Sequence, residues 1–417
     1  MRKFDTIILG AGIVGVSTAL HLQARGHAVC VIDKQGTGEG TSYGNAGLIE
    51  RSSVTPYAFP RGLANLVKYG LNNRTDVRYD LSYLPKIAPW LFQFWRHSEP
   101  SRLAIAAKAM LPLVEASVTE HDFLIDQAGC QDLVQAKGWL EAFRSPQVFE
   151  KFTKTLPELD RYNLNYKVLD KADFAKTEPA MHDIAGAVHW LDPKTVSDPS
   201  ALVKAYAGLF QQRGGVLEQG DAASLQQNND GWSVTVNGNE TLNARHVVVA
   251  LGPQSDVVYK KLGIALPMAV KRGTHLHFTP DSKTSLNHAL VEVEGGYVLA
   301  PMRQGIRLTT GIEFAAPDAP ANRILLDRAE KRAREILPSL GKVVEAQPWL
   351  GLRPCMPDMR PVISGTPGKA GLWFNFGHAH HGLTLGPASG RLLAEMMAGE
   401  PTFIPAEPYS INRFITR

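Results

Sequence analysis

The first 33 residues carry the pattern that most constrains the fold of this chain. Residues 4–9 (FDTIIL) predict a strand, residues 16–25 have apolar side chains at helical spacing, and residues 28–32 (AVCVI) predict a second strand. A glycine-rich turn, GAGIVG, joins the first strand to the helix, and the second strand ends in Asp33. This order of a strand, a G-x-G-x-x-G turn, a helix, a strand and an acid predicts a dinucleotide-binding βαβ unit.

Each residue type in this unit has its own physical task. Gly10 permits the tight turn, Gly12 lets the backbone approach a pyrophosphate, and Gly15 lets the helix pack closely on the strand. The helix N-terminus offers free N–H groups and the positive end of its dipole to phosphates. Asp33 can accept hydrogen bonds from ribose hydroxyls. We therefore interpret the turn as a ligand site in a Rossmann-type sheet, and not as a glycine-rich turn without a ligand.

Later segments extend this prediction and favour FAD as the dinucleotide. The loop at residues 41–48 (TSYGNAGL) is rich in small and hydroxyl residues that can lay backbone amides along phosphates and a flavin ring. Residues 245–250 (RHVVVA) and 372–376 (LWFNF) predict two more strands, and a helix is predicted from about Pro387 to Ala398. The position of the glycine turn at the start of the chain is also typical of flavoproteins.

Composition limits the class of protein. A chain of 417 residues with 44% hydrophobic content favours two domains over one. The net charge of +4 comes from scattered basic residues, so we expect no nucleic-acid partner. The three cysteines have neither disulfide-framework nor zinc spacing, and we expect no metal site. We identify neither a signal peptide nor a transmembrane run, and expect a cytoplasmic protein that could lie on the inner face of the membrane.

Five segments together resemble the D-amino acid oxidase superfamily of FAD-dependent amine oxidoreductases, and most of all its bacterial D-amino acid dehydrogenases. They are GAGIVG (10–15), NAGLI (45–49), GLRP (351–354), PDMRPVIS (357–364) and GHAHHGLT (377–384), in the order of that superfamily. The resemblance implies an α/β (α+β overall) fold, with a Rossmann-type FAD-binding domain and a second, antiparallel-sheet substrate domain. We predict a discontinuous FAD domain at residues 1–60, 195–262 and 350–417, and a substrate domain with helical segments at 61–194 and 263–349.

The glycine unit and the resemblance together give a set of predicted FAD-binding residues. They are Gly10, Gly12, Ile13, Val14, Gly15, Asp33, Lys34, Thr41, Ser42, Asn45, Ala46, Gly47, Leu48, Ala222, Ala250, Gly252, Gly351, Gly377, His378, Gly382, Leu383 and Thr384. The resemblance places the last three beside the flavin pyrimidine ring, where a helix N-terminus stabilises negative charge on the reduced flavin. Cys355 directly follows the GLRP motif, which is not the spacing of the cysteine that holds flavin covalently in sarcosine oxidases. We expect non-covalent FAD.

Four residues are predicted to act in catalysis or on substrate. Arg353 of GLRP is predicted to bind the substrate carboxylate, and the alternative is a structural pair with an acid such as Asp358. Tyr297 and His275 match segments that face the substrate in relatives, although a core-packed tyrosine fits the sequence equally well. His381 belongs to a cluster with His378 and His380 that is denser than in the family, and this difference has no interpretation from sequence.

The resemblance implies oxidative deamination of a D-amino acid to a 2-oxo acid and ammonia, by hydride transfer from Cα to flavin N5. Two alternatives remain: oxidation of a secondary amine such as D-proline, hydroxy-D-proline, sarcosine or another N-alkyl glycine, and a role as the flavoprotein subunit of a multi-component dehydrogenase. The expected partners are a small amino or imino acid and a quinone or other respiratory-chain acceptor, with O2 as the alternative. The aromatic stretch from Trp90 to Trp95 fits either a helix core or a membrane-contacting surface.

Overall fold

The structure is a computed structural model that describes residues 2–280 and 286–415, and only the backbone of residues 63–66. Met1 and residues 416–417, which are the two ends of the predicted FAD domain, lie outside the described residues. Residues 281–285 of the predicted substrate domain also lie outside them. The helices are α1 (Ile13–Gln23), α2 (Leu63–Gly70), α3 (Leu84–His97), α4 (Pro100–Ala128), α5 (Pro146–Thr153), α6 (Lys171–Thr177), α7 (Pro199–Gln212), α8 (Asp256–Lys261), α9 (Ile324–Ile336) and α10 (Gly382–Ala398).

The strands form two large sheets and one small one. They are β1 (Lys3–Leu9), β2 (Val29–Asp33), β3 (Leu48–Ile49), β4 (Val77–Tyr79), β5 (Val134–Gln135), β6 (Trp139–Phe143), β7 (Tyr166–Asp170), β8 (Gly186–Trp190), β9 (Lys194–Val196), β10 (Val216–Gln219), β11 (Gln226–Asn228), β12 (Gly231–Val236), β13 (Glu240–Val249), β14 (Ala269–Pro280), β15 (Ala289–Glu292), β16 (Tyr297–Met302), β17 (Gly305–Thr309), β18 (Ile312–Phe314), β19 (Leu340–Val343), β20 (Trp349–Cys355), β21 (Val362–Gly365) and β22 (Leu372–Phe376).

The first large sheet confirms the predicted Rossmann-type arrangement. Strands β10, β2, β1 and β13 lie side by side and parallel, and β22 adds a parallel strand beside the carboxyl half of β13. The amino half of β13 pairs instead with the antiparallel strand β12. Helices α1, α4, α7 and α10 share one apolar core on one face of this sheet. The carboxyl ends of the parallel strands meet at one edge, which is where such sheets bind ligands.

Helices α1 and α10 pack against each other so closely that glycine is required between them. A Cβ at Gly390 would lie 2.8 Å from the Thr18 nitrogen, and one at Gly386 would lie 2.9 Å from Ile13 Cγ1. Each helix follows a parallel strand, β1 or β22, so both begin at the same edge of the sheet. The helix predicted from Pro387 in fact begins at Gly382, and Pro387 lies inside it. This earlier start brings the N-terminus of α10 beside that of α1.

The second large sheet is mainly antiparallel and runs in the order β4-β18-β14-β17-β16-β15-β6-β8-β7, with β19 and β20 also paired to β14. Helix α9 covers one of its faces. Two segments lie across the predicted boundaries. Strand β20 pairs with the second sheet, although the prediction places residues 350–417 in the FAD domain. Helix α4 packs in the core of the first sheet, although the prediction places residues 61–194 in the substrate domain. The division into two domains stays a prediction.

Candidate active site

A cavity of about 1390 Å³ lies between the ligand-binding edge of the first sheet and the open face of the second. This volume exceeds the ~300–1000 Å³ of ordinary small-molecule pockets, and it suits a dinucleotide together with a small substrate. Residues that follow the carboxyl ends of β1, β2, β13 and β22 all contribute to its wall. Most of the predicted site residues also line it: Gly10, Gly12, Ile13, Val14, Asp33, Lys34, Thr41, Ser42, Asn45, Ala46, Leu48, Ala222, Ala250, Gly252, Gly351, Arg353, His378, Gly382, Leu383 and Thr384.

The glycine turn has the geometry expected of a pyrophosphate cradle. Gly10 has φ +109°, and a Cβ there would lie 2.5 Å from the Ala250 carbonyl oxygen. Gly15 does not line the cavity, but a Cβ there would lie 1.9 Å from the Gly10 oxygen, which agrees with its expected packing role. Gly12 is the N-cap of α1 and has no side chain to cap that helix end, and among the first-turn N–H groups that of Ile13 is bonded to Ser42 Oγ. The first turn of α1 therefore presents its remaining free N–H groups to the cavity.

Asp33 ties this turn to the end of β2. Its Oδ2 accepts a hydrogen bond from the Ala11 N–H at 2.7 Å, and its Oδ1 accepts one from the Gln35 N–H at 2.8 Å. Carboxylate oxygens have further acceptor capacity, so Asp33 can also receive ribose hydroxyls. Lys34, next in the chain, pairs with Asp221 at 3.3 Å on the exposed rim.

The hydroxyl-rich loop of residues 41–48 is fixed by bonds to the second sheet and to the start of α1. The Thr41 hydroxyl donates to the Leu352 carbonyl at 3.1 Å, and Ser42 Oγ accepts a bond from the Ile13 N–H at 3.1 Å. Arg307 of β17 donates to the Tyr43 and Asn45 carbonyls. Gly47 faces the protein, since a Cβ there would lie 2.3 Å from the Val196 oxygen.

The start of α10 forms the part of the wall beside the start of α1. Gly382, Leu383 and Thr384 line the cavity, and in the described chain no side chain caps this helix N-terminus. The Thr384 hydroxyl donates to the Leu48 carbonyl at 3.0 Å. Two helix N-termini thus face one cavity, and both fit the negative charge of a flavin dinucleotide.

Arg353 is a partly buried cation without an anion among the described residues. It lies opposite Lys271 in the β14–β20 pair, and its guanidinium donates to the carbonyls of Gly311 at 2.8 Å and Thr310 at 3.1 Å. Gly273 leaves the space for it, because a Cβ there would lie 2.3 Å from the guanidinium. No carboxylate of the described chain pairs with it, and burial lowers the pKa of Arg353. Such a guanidinium is open to a ligand carboxylate.

The alternative structural role of Arg353 does not match the observed contacts. Asp358, its suggested partner, instead pairs with Arg360 at 2.9 Å and with Arg413 at 2.8 Å. Burial alone would raise the pKa of the Asp358 carboxyl, but the two cations and their hydrogen bonds together lower it. Asp358 therefore has its own counter-ions, and Arg353 keeps its donors for the cavity.

Lys271 is a second buried cation on the same wall, and sequence reasoning missed it. Its ammonium lies 4.2 Å from the ring centre of Phe94 and 5.4 Å from that of Trp90, and 3.9 Å from Met359 Sδ. Burial lowers its pKa, and the aromatic faces supply part of the lost hydration. Trp90 and Phe94 are thus core residues, whereas Phe92 and Trp95 stack on each other on the exposed face of α3.

Three predicted catalytic residues do not line the cavity. Tyr297 is fully buried on the other face of its sheet, among the side chains of α9, while its neighbours Gly296 and Val298 line the cavity. Side chains alternate along a strand, so the prediction for Tyr297 missed the correct face by one residue. His275 is on the cavity face, but the Trp349 ring stacks over it at 4.8 Å. His381 is the N-cap residue of α10, and the predicted cofactor residue Gly377 packs against Met356.

The histidine cluster is neutral. His378 and His380 line the cavity, and the His380 ring lies 3.7 Å from that of His381 and 4.8 Å from that of Tyr57. Burial lowers the pKa of His378 to about 3 and that of His381 to about 4, and burial together with the nearby cations Arg353 and Lys271 also lowers the pKa of His380. These imidazoles can therefore accept or donate hydrogen bonds, but they do not supply positive charge near neutral pH.

Two acids in the cavity wall were also missed. Glu50 follows β3, and Glu141 is the one acid within the apolar strand β6. Burial and the nearby charge of Glu141 raise the pKa of Glu50 to about 8, and burial raises the pKa of Glu141 to about 7. Both acids could have been recognised in the sequence. Glu50 directly follows the NAGLI motif, and Glu141 is a lone acid within the apolar strand segment WLEAF.

Cys355 is relevant to how FAD is held. Its thiol is buried against its own strand, 3.4 Å from the Arg353 carbonyl, and burial raises its pKa. A protonated, buried thiol is a poor nucleophile. We predict that acid precipitation of the protein releases the yellow FAD to the supernatant, and colour that stays in the pellet would show a covalent bond.

Comparison with known proteins agrees with this geometry. The model of the DAO family, described as FAD dependent oxidoreductase, matches residues 5–396. The chain is 28% identical over 427 residues to a D-amino-acid oxidase of Bradyrhizobium diazoefficiens, and 27% identical over 440 residues to a D-amino acid dehydrogenase of Paramagnetospirillum magneticum; 98% of each chain is covered in both cases. Its fold is similar to that of glycine oxidase from Geobacillus kaustophilus, with a TM-score of 0.77, 19% identity and full coverage of both chains.

Proposed function

The chain belongs to the DAO family of FAD-dependent oxidoreductases, and on that premise we propose that it oxidises D-amino acids to 2-oxo acids and ammonia. When bound, FAD would accept the two electrons that are removed from the substrate Cα–H bond. The protein supplies the binding site, the orientation of the substrate and the exclusion of water. Two relatives named for D-amino acids support the choice of enantiomer.

The observation that carries this proposal is the unpaired guanidinium of Arg353. Its two backbone acceptors, Gly311 and Thr310, fix its plane without neutralising its charge. A substrate carboxylate can therefore complete the ion pair through two parallel N–H···O bonds. Since the carboxylate and the reacting Cα are adjacent atoms, this contact also positions Cα for oxidation.

The cofactor would be held by the groups at the sheet edge. The N–H groups at the start of α1 would face the pyrophosphate, and Asp33 would accept the ribose hydroxyls. The start of α10, at Gly382 to Thr384, would face the flavin pyrimidine ring. The cavity between this helix and β20 leaves Arg353 on the substrate side.

The products distinguish the proposed substrate class from secondary amines. The purified protein would be incubated with D- and L-amino acids, D-proline, hydroxy-D-proline and sarcosine, together with an artificial electron acceptor. We expect a 2-oxo acid and ammonia from a D-amino acid. A cyclic imine from D-proline without ammonia from any primary amine would overturn the primary-amine assignment. Turnover only after addition of a second protein would favour a subunit role.

We also propose that a membrane quinone takes the electrons. No described helix is long and apolar enough to cross a bilayer. The support comes from α3, where Phe92 and Trp95 expose 56% and 39% of their surface and the Arg61 guanidinium lies 4.7 Å from the Trp95 ring centre. Exposed aromatic rings with a neighbouring cation suit the interface of an anionic membrane.

The quinone proposal predicts a separable effect of these aromatic residues. The variant Phe92→Ser/Trp95→Ser should bind less to vesicles of anionic phospholipid and reduce quinone in those vesicles more slowly, because apolar surface is lost. Its rate with a water-soluble acceptor should be unchanged, and Phe123→Ser, at another exposed aromatic residue, is the control. Equal vesicle binding by both variants, or faster turnover with O2 than with quinone, would contradict the proposal.

A further inference from the structure

The cavity that Arg353 lines also carries two carboxyl groups, Glu50 and Glu141, that the proposed function does not use. Glu50 Oε2 is buried and has no hydrogen-bond partner among the described residues. Glu141 accepts a bond from the Trp190 Nε1–H at 3.1 Å, and no cation of the described chain pairs with it. Buried carboxylates are ordinarily matched with cations, so two unmatched ones in a ligand cavity require an explanation.

The backbone fixes both acids beside the expected flavin site. The Glu50 N–H donates to Thr384 Oγ1 at 3.3 Å, and the Glu50 carbonyl accepts a bond from Ser117 Oγ at 2.7 Å. These bonds join Glu50 to the first turn of α10. Glu141 lies in register with Val291 of β15 on the cavity face of the second sheet. Glu141 is held by its strand, and Glu50, directly after β3, is held by its two backbone hydrogen bonds.

The nearby cations are engaged elsewhere. Arg51 donates to Glu115 at 3.2 Å and to the Tyr162 carbonyl at 2.9 Å, and Lys194 pairs with Asp122. Neither therefore neutralises Glu50.

Tyr57, His380, Lys271 and Arg353 are titratable groups that line the same cavity as the acid pair. Tyr57 is 65% exposed; desolvation by the surrounding wall and the charges of Glu50 and Glu141 raise the pKa of its phenol, whereas Arg353 lowers it. The His380 ring packs on Tyr57 and is neutral. Tyr57 thus lies within electrostatic reach of both the acids and the guanidinium. The cavity therefore offers both a positive group and negative groups, which is the complement of an amino acid zwitterion.

We propose that Glu50 and Glu141 form an amine subsite that binds the substrate ammonium, and that Glu50 takes its proton before oxidation. This inference rests on the proposed function, because it assumes that Arg353 holds the carboxylate of the same molecule. One N–H bond of the ammonium breaks, its electron pair stays on nitrogen as a lone pair, and the proton forms an O–H bond at Glu50 Oε2. No electrons leave the substrate in this step, which turns the ammonium into the neutral amine that oxidation requires.

The raised pKa values of the two carboxyls suit transfer of a proton from the substrate ammonium. A proton acceptor works best when its pKa lies near the working pH. Burial raises the pKa of both carboxyls toward neutrality, and the repulsion between two acids adds to this effect at Glu50. A bound ammonium would stabilise the ionised pair, and proton transfer would relieve the buried charge.

Two probes that cannot be oxidised test the amine subsite without turnover. 2-Aminoisobutyrate has a carboxylate and an ammonium but no Cα–H, and pivalate has nearly the same shape with a methyl group in place of the ammonium. Their dissociation constants would be measured on the holoenzyme between pH 6 and 9, from the change in the flavin spectrum. We expect binding of 2-aminoisobutyrate to strengthen as pH rises through 7 to 8, because the acid pair ionises. Binding of pivalate should weaken over the same range, because the ionised pair repels it.

The variant Glu50→Gln/Glu141→Gln should remove both pH dependences, and Arg353 should still hold pivalate. Glutamine matches the shape of a protonated carboxyl, so the fold and the flavin content should be kept. Glu150→Gln, at an exposed acid of α5 that pairs with Lys154, is the matched control. If neither probe binds to the wild type, the proposed function itself fails. If both probes bind with the same pH profile, the amine subsite is wrong while the carboxylate anchor stands.

Turnover supplies the second readout. The double variant should lose about 10²–10⁴-fold in kcat/KM at pH 7 for all primary-amine substrates, which is the usual range for a lost proton acceptor. Its kcat/KM should continue to rise up to the pKa of the substrate ammonium, whereas that of the wild type should level off above pH 8. A loss confined to D-lysine and absent for D-norleucine would overturn the proposal, since the acids would then recognise a cationic side chain. An unchanged pH profile with a uniform loss would indicate a structural role and would also overturn it.

Discussion

Replacing Arg353 by alanine should lower kcat/KM for the best amino acid by about thirty-fold to several thousand-fold while FAD stays bound. The substrate carboxylate would lose the guanidinium that we propose as its partner, and truncating one member of a buried charge pair costs about 2–5 kcal/mol. Arg353→Lys should also be harmful, because a lysine cannot hold the Gly311 and Thr310 carbonyls and a carboxylate together.

The controls for Arg353 come from the same chain. Arg303 is exposed and pairs with Asp132, so Arg303→Ala should have little effect. Arg272 is no substitute anchor, because it pairs with Glu313 at 3.1 Å and donates to the Ala316 and Pro320 carbonyls. An amine without a carboxylate should react equally slowly with the wild type and with Arg353→Ala. Near-normal kcat/KM in Arg353→Ala would place the anchor elsewhere, and loss of FAD would make the residue structural.

Replacing Gly12 by leucine should give a folded protein with less than about a tenth of the normal FAD. A Cβ at Gly12 would contact only Ser42 Oγ, at 3.3 Å, so the fold can accept it, but the rest of the side chain would enter the cavity where a pyrophosphate belongs. Flavin content and far-ultraviolet circular dichroism check the two parts of this prediction. The apoprotein should also unfold at a lower temperature, because ligand binding to the native state stabilises it.

Gly208 offers a matched control for this change. It lies in α7, and a Cβ there would have no heavy atom of the described chain within 4 Å, so Gly208→Leu should keep its FAD. Gly15→Ala should behave differently from both, because its Cβ would lie 1.9 Å from the Gly10 oxygen and must distort the fold. A Gly12→Leu protein isolated with full flavin content would refute the assignment of the turn.

The parts of the site that sequence could predict are those fixed by local rules. Gly10, Gly12 and Asp33 stand at set distances in one βαβ unit, so their roles follow from the spacing of a short segment. Arg353 lies in the GLRP motif, one of the five short segments on which the resemblance rests. The positions of these residues along the cavity wall agree with those expectations.

The parts that sequence could not predict depend on which face of a strand is covered. Tyr297 was assigned to the cavity, but α9 packs on its face of the sheet, and the next residue, Val298, faces the cavity instead. His275 is on the correct face and is still excluded, because Trp349 from a paired strand stacks on it. A one-residue shift along a strand moves every side chain to the other face of the sheet, and a sequence motif does not specify which face lines the cavity.

The charges missed from sequence come from segments far apart in the chain. Glu50 and Glu141 are separated by about ninety residues, and Lys271 meets Phe94 and Trp90 only because α3 packs against β14. No spacing rule joins such residues. Their importance follows from what surrounds them in three dimensions, which is burial without an opposite charge.

The most direct test of the central claim is the anaerobic mixing of the purified yellow protein with paired D- and L-amino acids. With oxygen and other acceptors absent, a substrate reduces the bound flavin and removes its colour in one turnover. We predict that at least one D-amino acid bleaches the wild-type flavin, that its L-enantiomer does not, and that Arg353→Ala bleaches far more slowly at equal flavin content. Bleaching by the L-enantiomers alone, or at the same rate in Arg353→Ala, would contradict the account.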